Sequence, residues 1–280
     1  MPLTSPRSLL ASALLTLATA GTALADDVPA APASPPRFPS LAPDGAASEV
    51  AAEVGLGIYD DADDTLFSTS LTAQFMGAQH VGGYARIDAM TLDEAQAVSN
   101  LELGGLYRAA GPQGALAVRA GLVLPTGPGE DDDLADAFLP ISHFATRRPS
   151  ELARAIPDST VLRLAVSPST QSGALFARAD LGIDVFIDSP SSDNPDPFYH
   201  IDLAAGLKQG AGAATIELSS VGSLGTDDSD DGTFDAITLG GQYDMGQATI
   251  GAGVTFPFDT FDNGPDLSGK ILSATIVAKL

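Results

Sequence analysis

The residues with the most chemistry in this chain are charged, and they keep a fixed spacing. Arg86, Arg108, Arg119, Arg163, Arg178 and Lys208 fall within short amphipathic stretches, as do Glu49, Glu53, Asp88, Glu102, Asp180, Asp184, Asp202 and Glu217. Each occupies the parity opposite to the apolar residues of its stretch: Arg178, Asp180 and Asp184 alternate with Ala177, Ala179, Leu181, Ile183 and Val185. Strand side chains point to opposite faces with period two, so each stretch has one apolar and one charged face. Charges aligned on one side of neighbouring strands can form ion-pair ladders or line a polar passage. Catalysis has far less behind it. Cysteine is absent, and the three histidines, His80, His143 and His200, have no Ser, Asp or Asn at a persuasive spacing for a nucleophile and its base. An enzyme, a cofactor and a dedicated metal site are therefore not expected.

The elements that must position these charges are strands. Their expected bounds are 49–59, 65–75, 80–90, 100–109, 114–125, 160–168, 174–187, 198–208, 213–224, 233–243, 247–258 and 271–280. The connections alternate. Segments 60–64, 91–99, 126–159, 189–197, 226–232 and 259–270 are polar, mostly Asp-rich and often long. Those between them, around Gly77, Gly111, Ser169 to Ser172, Gly210 and Gly246, are short and rich in Gly or Ser. Short turns at one end, longer loops at the other and an even strand number describe an outer-membrane barrel. Strands of nine to eleven residues match the hydrocarbon thickness, and closure removes the unpaired edge that lipid does not tolerate. The fold class expected is all-β, a 12-stranded antiparallel up-and-down transmembrane β-barrel over 48–280. Glu49, Glu53, Arg86, Asp88, Glu102, Arg108, Arg119, Arg163, Arg178, Asp180, Asp184, His200, Asp202, Lys208 and Glu217 would line its lumen. On the lipid face a mid-strand Arg or Lys would cost about 2–4 kcal/mol, which is why parity matters. The absence of Trp and the scarcity of Tyr thin the expected aromatic girdles.

Ahead of the strands, residues 1–25 have the form of a secretory signal peptide. A basic start with Arg7 leads into an apolar run from Leu9 to Ala20, and Ala23-Leu24-Ala25 resembles a cleavage site. Residues 26–47 are rich in Pro and Ala and read as an extended periplasmic linker. The net charge of -23 makes nucleic acid and anionic surfaces poor partners. Outer-membrane lipid and small-molecule solutes are the partners expected, at the outer membrane of a Gram-negative bacterium. Acidic loops could also hold loosely bound divalent cations. The stretch 226–232 approximates a calcium loop, but Thr238 stands where the bidentate acid belongs.

At the end of the fifth strand the chain reads Gly-Leu-Val-Leu-Pro-Thr-Gly-Pro-Gly over 121–129. Leu-Pro-Thr-Gly before a long acidic loop resembles the bacterial outer-membrane barrel family named for the MetA pathway of phenol degradation. That resemblance spans 48–280 in architecture but only 121–129 in motif, and it implies transport without naming a substrate. The loop it opens, 126–159, contains Asp131, Asp132 and Asp133, then Arg147 and Arg148, with apolar residues that water would solvate poorly. Folded into the mouth, it would set acid against base at a constriction; a cap outside the barrel is equally compatible with the sequence. A passive channel is the leading expectation, with acidic loops favouring cations at low salt. A non-conducting barrel that binds a partner, or a soluble secreted β-protein, stays open.

Overall fold

In a computed structural model, described for residues 36, 38, 42–59, 65–92, 95–111, 114–127, 147–188, 195–225, 233–259 and 269–280, the chain forms a closed antiparallel barrel of twelve strands. These are β1 (Glu49–Tyr59), β2 (Thr65–Met76), β3 (Val81–Leu92), β5 (Leu101–Ala110), β6 (Gly114–Leu124), β7 (Thr160–Ser172), β8 (Leu175–Asp188), β9 (Phe198–Gln209), β10 (Gly212–Ser223), β11 (Thr233–Asp244), β12 (Ala248–Asp259) and β13 (Gly269–Lys279). Each pairs with its neighbours in chain order. The ring closes where β1 meets β13, from Glu49 opposite Lys279 to Tyr59 opposite Gly269. A short further strand, β4 (Ala95–Val98), folds back on the end of β3, with Val98 opposite Ala89. It lies in a segment, 91–99, whose sequence reads as loop.

Alternation decides what each face meets. On β10, Ile216 and Leu218 expose 53% and 40% of their surface, whereas Glu217 between them exposes 1%. Leu164, Leu181, Ile183, Leu203 and Leu272 are likewise exposed on the outer wall. A wall this apolar suits hydrocarbon rather than water, and the closed ladder satisfies internally the backbone polar groups that lipid cannot. No helix among the described residues is long and apolar enough to cross a membrane, and a strand-built wall needs none.

The two rims differ. At one, tight turns join the strands: Gly77 N–H donates to Val81 O at 2.8 Å, and Gly111 N–H to Gly114 O at 2.8 Å. Gly210 turns with φ of +60°, where a side chain would be strained. We call this the turn end; both the start of β1 and the end of β13 lie there. At the opposite loop end, the Asp-rich connections 60–64, 128–146, 189–194, 226–232 and 260–268 lie outside the described residues.

The Leu124–Gly127 stretch acts as a clamp at that loop end. Thr126 N–H and Gly127 N–H donate to Asn100 Oδ1 at 3.1 and 2.9 Å, and Leu101 N–H donates to Thr126 Oγ1 at 2.7 Å. At Gly127 a Cβ would be crowded, at 3.0 Å from Asn100 Oδ1 and 3.1 Å from Val98 O.

Candidate functional site

The lumen is filled by two pieces of chain, one from each end. From the loop end, Arg147 to Ser159 runs inward, with a 3-10 helix over Pro149–Arg154 that is buried along its whole length. Its apolar side, Leu152 and Ala155, packs on Leu66, Met90, Ala97 and Val221, and Ala153 packs with Val123, Val161 and Phe186. Asn100 anchors the segment: its side-chain amide donates to Ile156 O at 2.7 Å, and its N–H donates to Arg154 O at 3.3 Å.

From the turn end, residues 42–48 and Phe38 lie inside the ring. Asp44 Oδ2 accepts from Arg108 Nη1 at 3.0 Å, and Pro43 O accepts from Arg119 Nη1 at 3.0 Å. Gly45 N–H donates to Gln74 Oε1 at 3.2 Å, and the Phe38 and Phe176 rings lie 5.0 Å apart, centroid to centroid. Gly45 has φ of +67°, and a Cβ there would strike Leu106 Cδ1 at 2.4 Å. Residues 42–47 are thus no free tether, the role their Pro/Ala-rich composition suggests. They dock through a carbonyl, a carboxylate and one glycine.

Around the inserted helix the wall charges form a network. Arg154 Nη2 lies 2.5 Å from Asp88 Oδ2, and its Nε lies 3.6 Å from Glu102 Oε2. Glu151 Oε1 takes Arg86 Nη1 at 2.6 Å, and its Oε2 takes Arg163 Nη1 at 2.7 Å. Arg163 also holds Asp184 at 2.8 Å and Glu102 at 3.1 Å, while Tyr84 OH donates to Glu102 at 2.7 Å. Arg147 and Arg148 both pair with Glu53 across the barrel. Burial pushes the Glu151 carboxyl up, but Arg163, Arg86 and Arg154 together hold it well below the ordinary carboxylate range. Ion pairs this deep persist because each charge has several partners; removing one would leave another charge buried without compensation.

The expected lumen residues therefore separate into groups. Glu53, Arg86, Asp88, Glu102 and Arg163 meet the inserted loop, and Asp184 supports Arg163 from β8. Arg108 and Arg119 hold the N-terminal segment, and Arg178 and Arg119 share Asp180 at 2.6 and 3.4 Å. Asp202 accepts from Ser219, and Glu217 accepts from Thr215 at 3.2 Å. Glu49 is buried near the turn end, where Lys208 is half-buried. His200 Nδ1 lies 3.6 Å from Asp184 Oδ2, and its Nε2 faces the Gly182 backbone, where a Cβ would come within 2.2 Å. Asp131, Asp132, Asp133 and His143 lie outside the described residues, as does the calcium-like stretch 226–232.

Sequence reasoning places Arg154 with Arg147 and Arg148 beside a short helix in this loop, but does not single out Glu151, Asn100, Tyr84 or Asp44. Glu151 carried a legible signal, since it flanks Leu152 and Ala153 in a loop too apolar to face water. The others act through partners distant in sequence.

No family model matches this chain, and no curated protein matches its sequence. Its fold is similar to that of an outer membrane channel from Pseudomonas putida F1, at TM-score 0.60 and 13% identity over 88% of this chain and 99% of that one. The NanC porin (14% identity, TM-score 0.49) and the KdgM porin (8%, TM-score 0.48) each align over 82% of this chain and 99% of their own length. At 13% identity the likeness is one of fold, a closed antiparallel β-barrel.

Proposed function

We propose that the chain is a passive outer-membrane channel of a Gram-negative bacterium for small solutes, with the Arg147–Arg154 segment as its constriction. The observation that carries this is a closed barrel whose outer wall is apolar and whose lumen carries buried charges that pair with an inserted segment of chain. In such pores radius and fixed charge decide what passes. Residues 1–25 would be the export signal, and 26–41 would lead from it to the docked segment. Membership of the phenol-degradation barrel family, on the strength of the 121–129 motif, belongs to the same proposal.

A second reading has its own support. The two inserted pieces approach each other in the lumen, where Ala42, Arg119, Glu151 and His200 border one small cavity. That favours a barrel kept shut until something moves. Planar-bilayer recording separates the two. The channel reading expects discrete conductance steps from the full chain and larger ones after deletion of residues 130–156. A conductance unchanged by that deletion would rule out the loop as constriction, and silence in both forms would favour the shut barrel. Heat-modifiable gel mobility in the outer-membrane fraction is the prior check; recovery from the soluble periplasm would defeat both readings.

A further inference from the structure

One region of the outer wall is recessed. On β8 and β9, Ala177, Ala179 and Ala205 point outward at adjoining positions, with Ala177 opposite Ala205 and Ala179 opposite Leu203. Larger side chains stand around them. Toward the turn end, Leu175 and Leu207 face each other, 60% and 57% exposed; toward the loop end, Leu181 and Ile201 do the same. On β10, Ile216 lies opposite Ala205 and Leu218 opposite Leu203. On β7, Thr170 lies opposite Ala177, with Pro168 beside it on the same face. The result is a pit of about 570 Å³, floored by alanine and open outward. Arg178 borders it from beneath, with its guanidinium held inward by Asp180 at 2.6 Å.

What covers this pit must be apolar and slender. Water would find few polar partners on an alanine floor, and an empty space there forfeits the contacts its lining would otherwise make. A second barrel would approach with a convex wall of its own and meet Leu175, Leu207, Leu181 and Ile201 before it reached the alanines. A single hydrocarbon chain can bend between those side chains. Depth points the same way. The Gly173 turn, with φ of +61°, marks the rim, and Ala177 follows it by four residues. At about 3.3 Å per residue and a tilt of about 40°, the pit lies about 10 Å inside that rim, at the level of acyl chains rather than headgroups. Short turns face the periplasm in such barrels, so the leaflet concerned is one of glycerophospholipid.

We propose that the pit is a binding site for an acyl chain of a glycerophospholipid, which it holds longer than the lipid around it. The alanines seat the chain. Leu175, Leu207, Leu181 and Ile201 keep it from sliding along the strands, and Ile216, Leu218 and Pro168 keep it from moving across them. Contact on several sides, against one side for a chain lying on a flat wall, is what retains it. The inference rests on the outer-membrane placement of the barrel and is independent of whether the lumen conducts.

Native mass spectrometry of the full-length protein tests this. The protein is folded in detergent micelles containing palmitoyl-oleoyl phosphatidylethanolamine, and the lipid is then diluted stepwise. The parent chain is expected to keep one phospholipid at dilutions that strip the rest. Ala177→Phe with Ala205→Phe fills the pit and should lower the retained fraction about fivefold or more. Ala252→Phe, exposed on β12 and away from the pit, should leave it unchanged. Equal retention by the filled and parent chains, or the same loss in Ala252→Phe, overturns the site. Dimers of the parent chain that the double substitution abolishes would make a second copy the occupant and overturn it too. If the phenylalanines prevent folding, judged by heat-modifiable mobility, Ala177→Val with Ala205→Val decides. Flotation with liposomes separates the site from the reading beneath it. A parent chain that does not float defeats the outer-membrane placement and the site with it, whereas one that floats but keeps no phospholipid defeats the site alone.

Discussion

Arg154 is the most deeply buried charge of the inserted segment. It is fully buried and joins Asp88, Glu102 and Glu151, so its loss leaves carboxylates facing one another in a place water does not readily reach. Removing one partner of a buried pair typically costs about 3–5 kcal/mol. Arg154→Ala is accordingly expected to lower barrel stability by about that amount in urea titration of the folded gel band, whereas exposed Lys270→Ala should change it by less than about 0.5 kcal/mol. Acid should release the loop late. The Glu151 carboxyl is held well below its ordinary value of 4.5, so its contribution is present above that value and is lost only as pH falls through the depressed one. Hydrogen-exchange protection factors at 147–154, corrected for the intrinsic rate at each pH, are therefore expected to be the same at pH 7 and pH 5; loss of protection by pH 5 would show that Glu151 does not hold the segment.

At the scale of elements, the Leu-Pro-Thr-Gly turn, β4 and the inserted loop are one unit built on Asn100. Its carboxamide oxygen caps the turn and its amide nitrogen holds Ile156 O, so a single side chain ties the end of β6 to the segment that enters the lumen. Asn100→Ala strands these groups, each at about 1–3 kcal/mol if buried. Limited trypsin digestion of the native barrel should then cut after Arg147 or Arg154, sites closed in the parent protein; continued resistance would mean the loop is held elsewhere. How far these elements could be read from the chain follows from the same geometry. The strands were legible because period two and the turn glycines are local, and β2, β9 and β11 lie within a residue of their expected ends. β4 was not, because Ala95–Val98 has no alternation of its own and exists by pairing with Ala89–Leu92. The entry of Arg147 and Arg148 depends on Glu53, about ninety residues away, a pairing no local pattern carries. The docking of Pro43 is still less visible, since it uses a backbone carbonyl that every residue has.

For the whole molecule the two faces of the wall answer to different solvents, and substitutions should show it. Leu203→Arg puts a charge on the outer face in mid-strand, where it costs about 2–4 kcal/mol in lipid, and is expected to reduce the heat-modifiable species. Ala236→Ser, on the inner face, should leave folding unchanged in the same assay. Equal tolerance at both positions would mean the outer wall does not meet lipid. The parity of the charges, visible from the chain alone, becomes at this scale a statement about which side of the wall is wet. That Thr275 stands beside the buried Glu53 ion pairs emerges only when β1 and β13 are brought together, because the two residues are neighbours across that seam and nowhere else.

The seam has one more consequence, for how the molecule is made. Leu280 N–H donates to Ser48 O at 3.0 Å, so the chain enters the ring beside the strand that completes it, and residues 42–47 already lie within. Assembly is thus a threading problem as well as a pairing problem. Either the leading segment is in place before the last strand zips against the first, or it must find its way in through the turn-end mouth afterwards. A bulky, prefolded domain fused directly ahead of Pro43 would stay at that mouth and pull against the docked carbonyl, so the order of events at the seam decides whether the finished barrel is occupied or hollow.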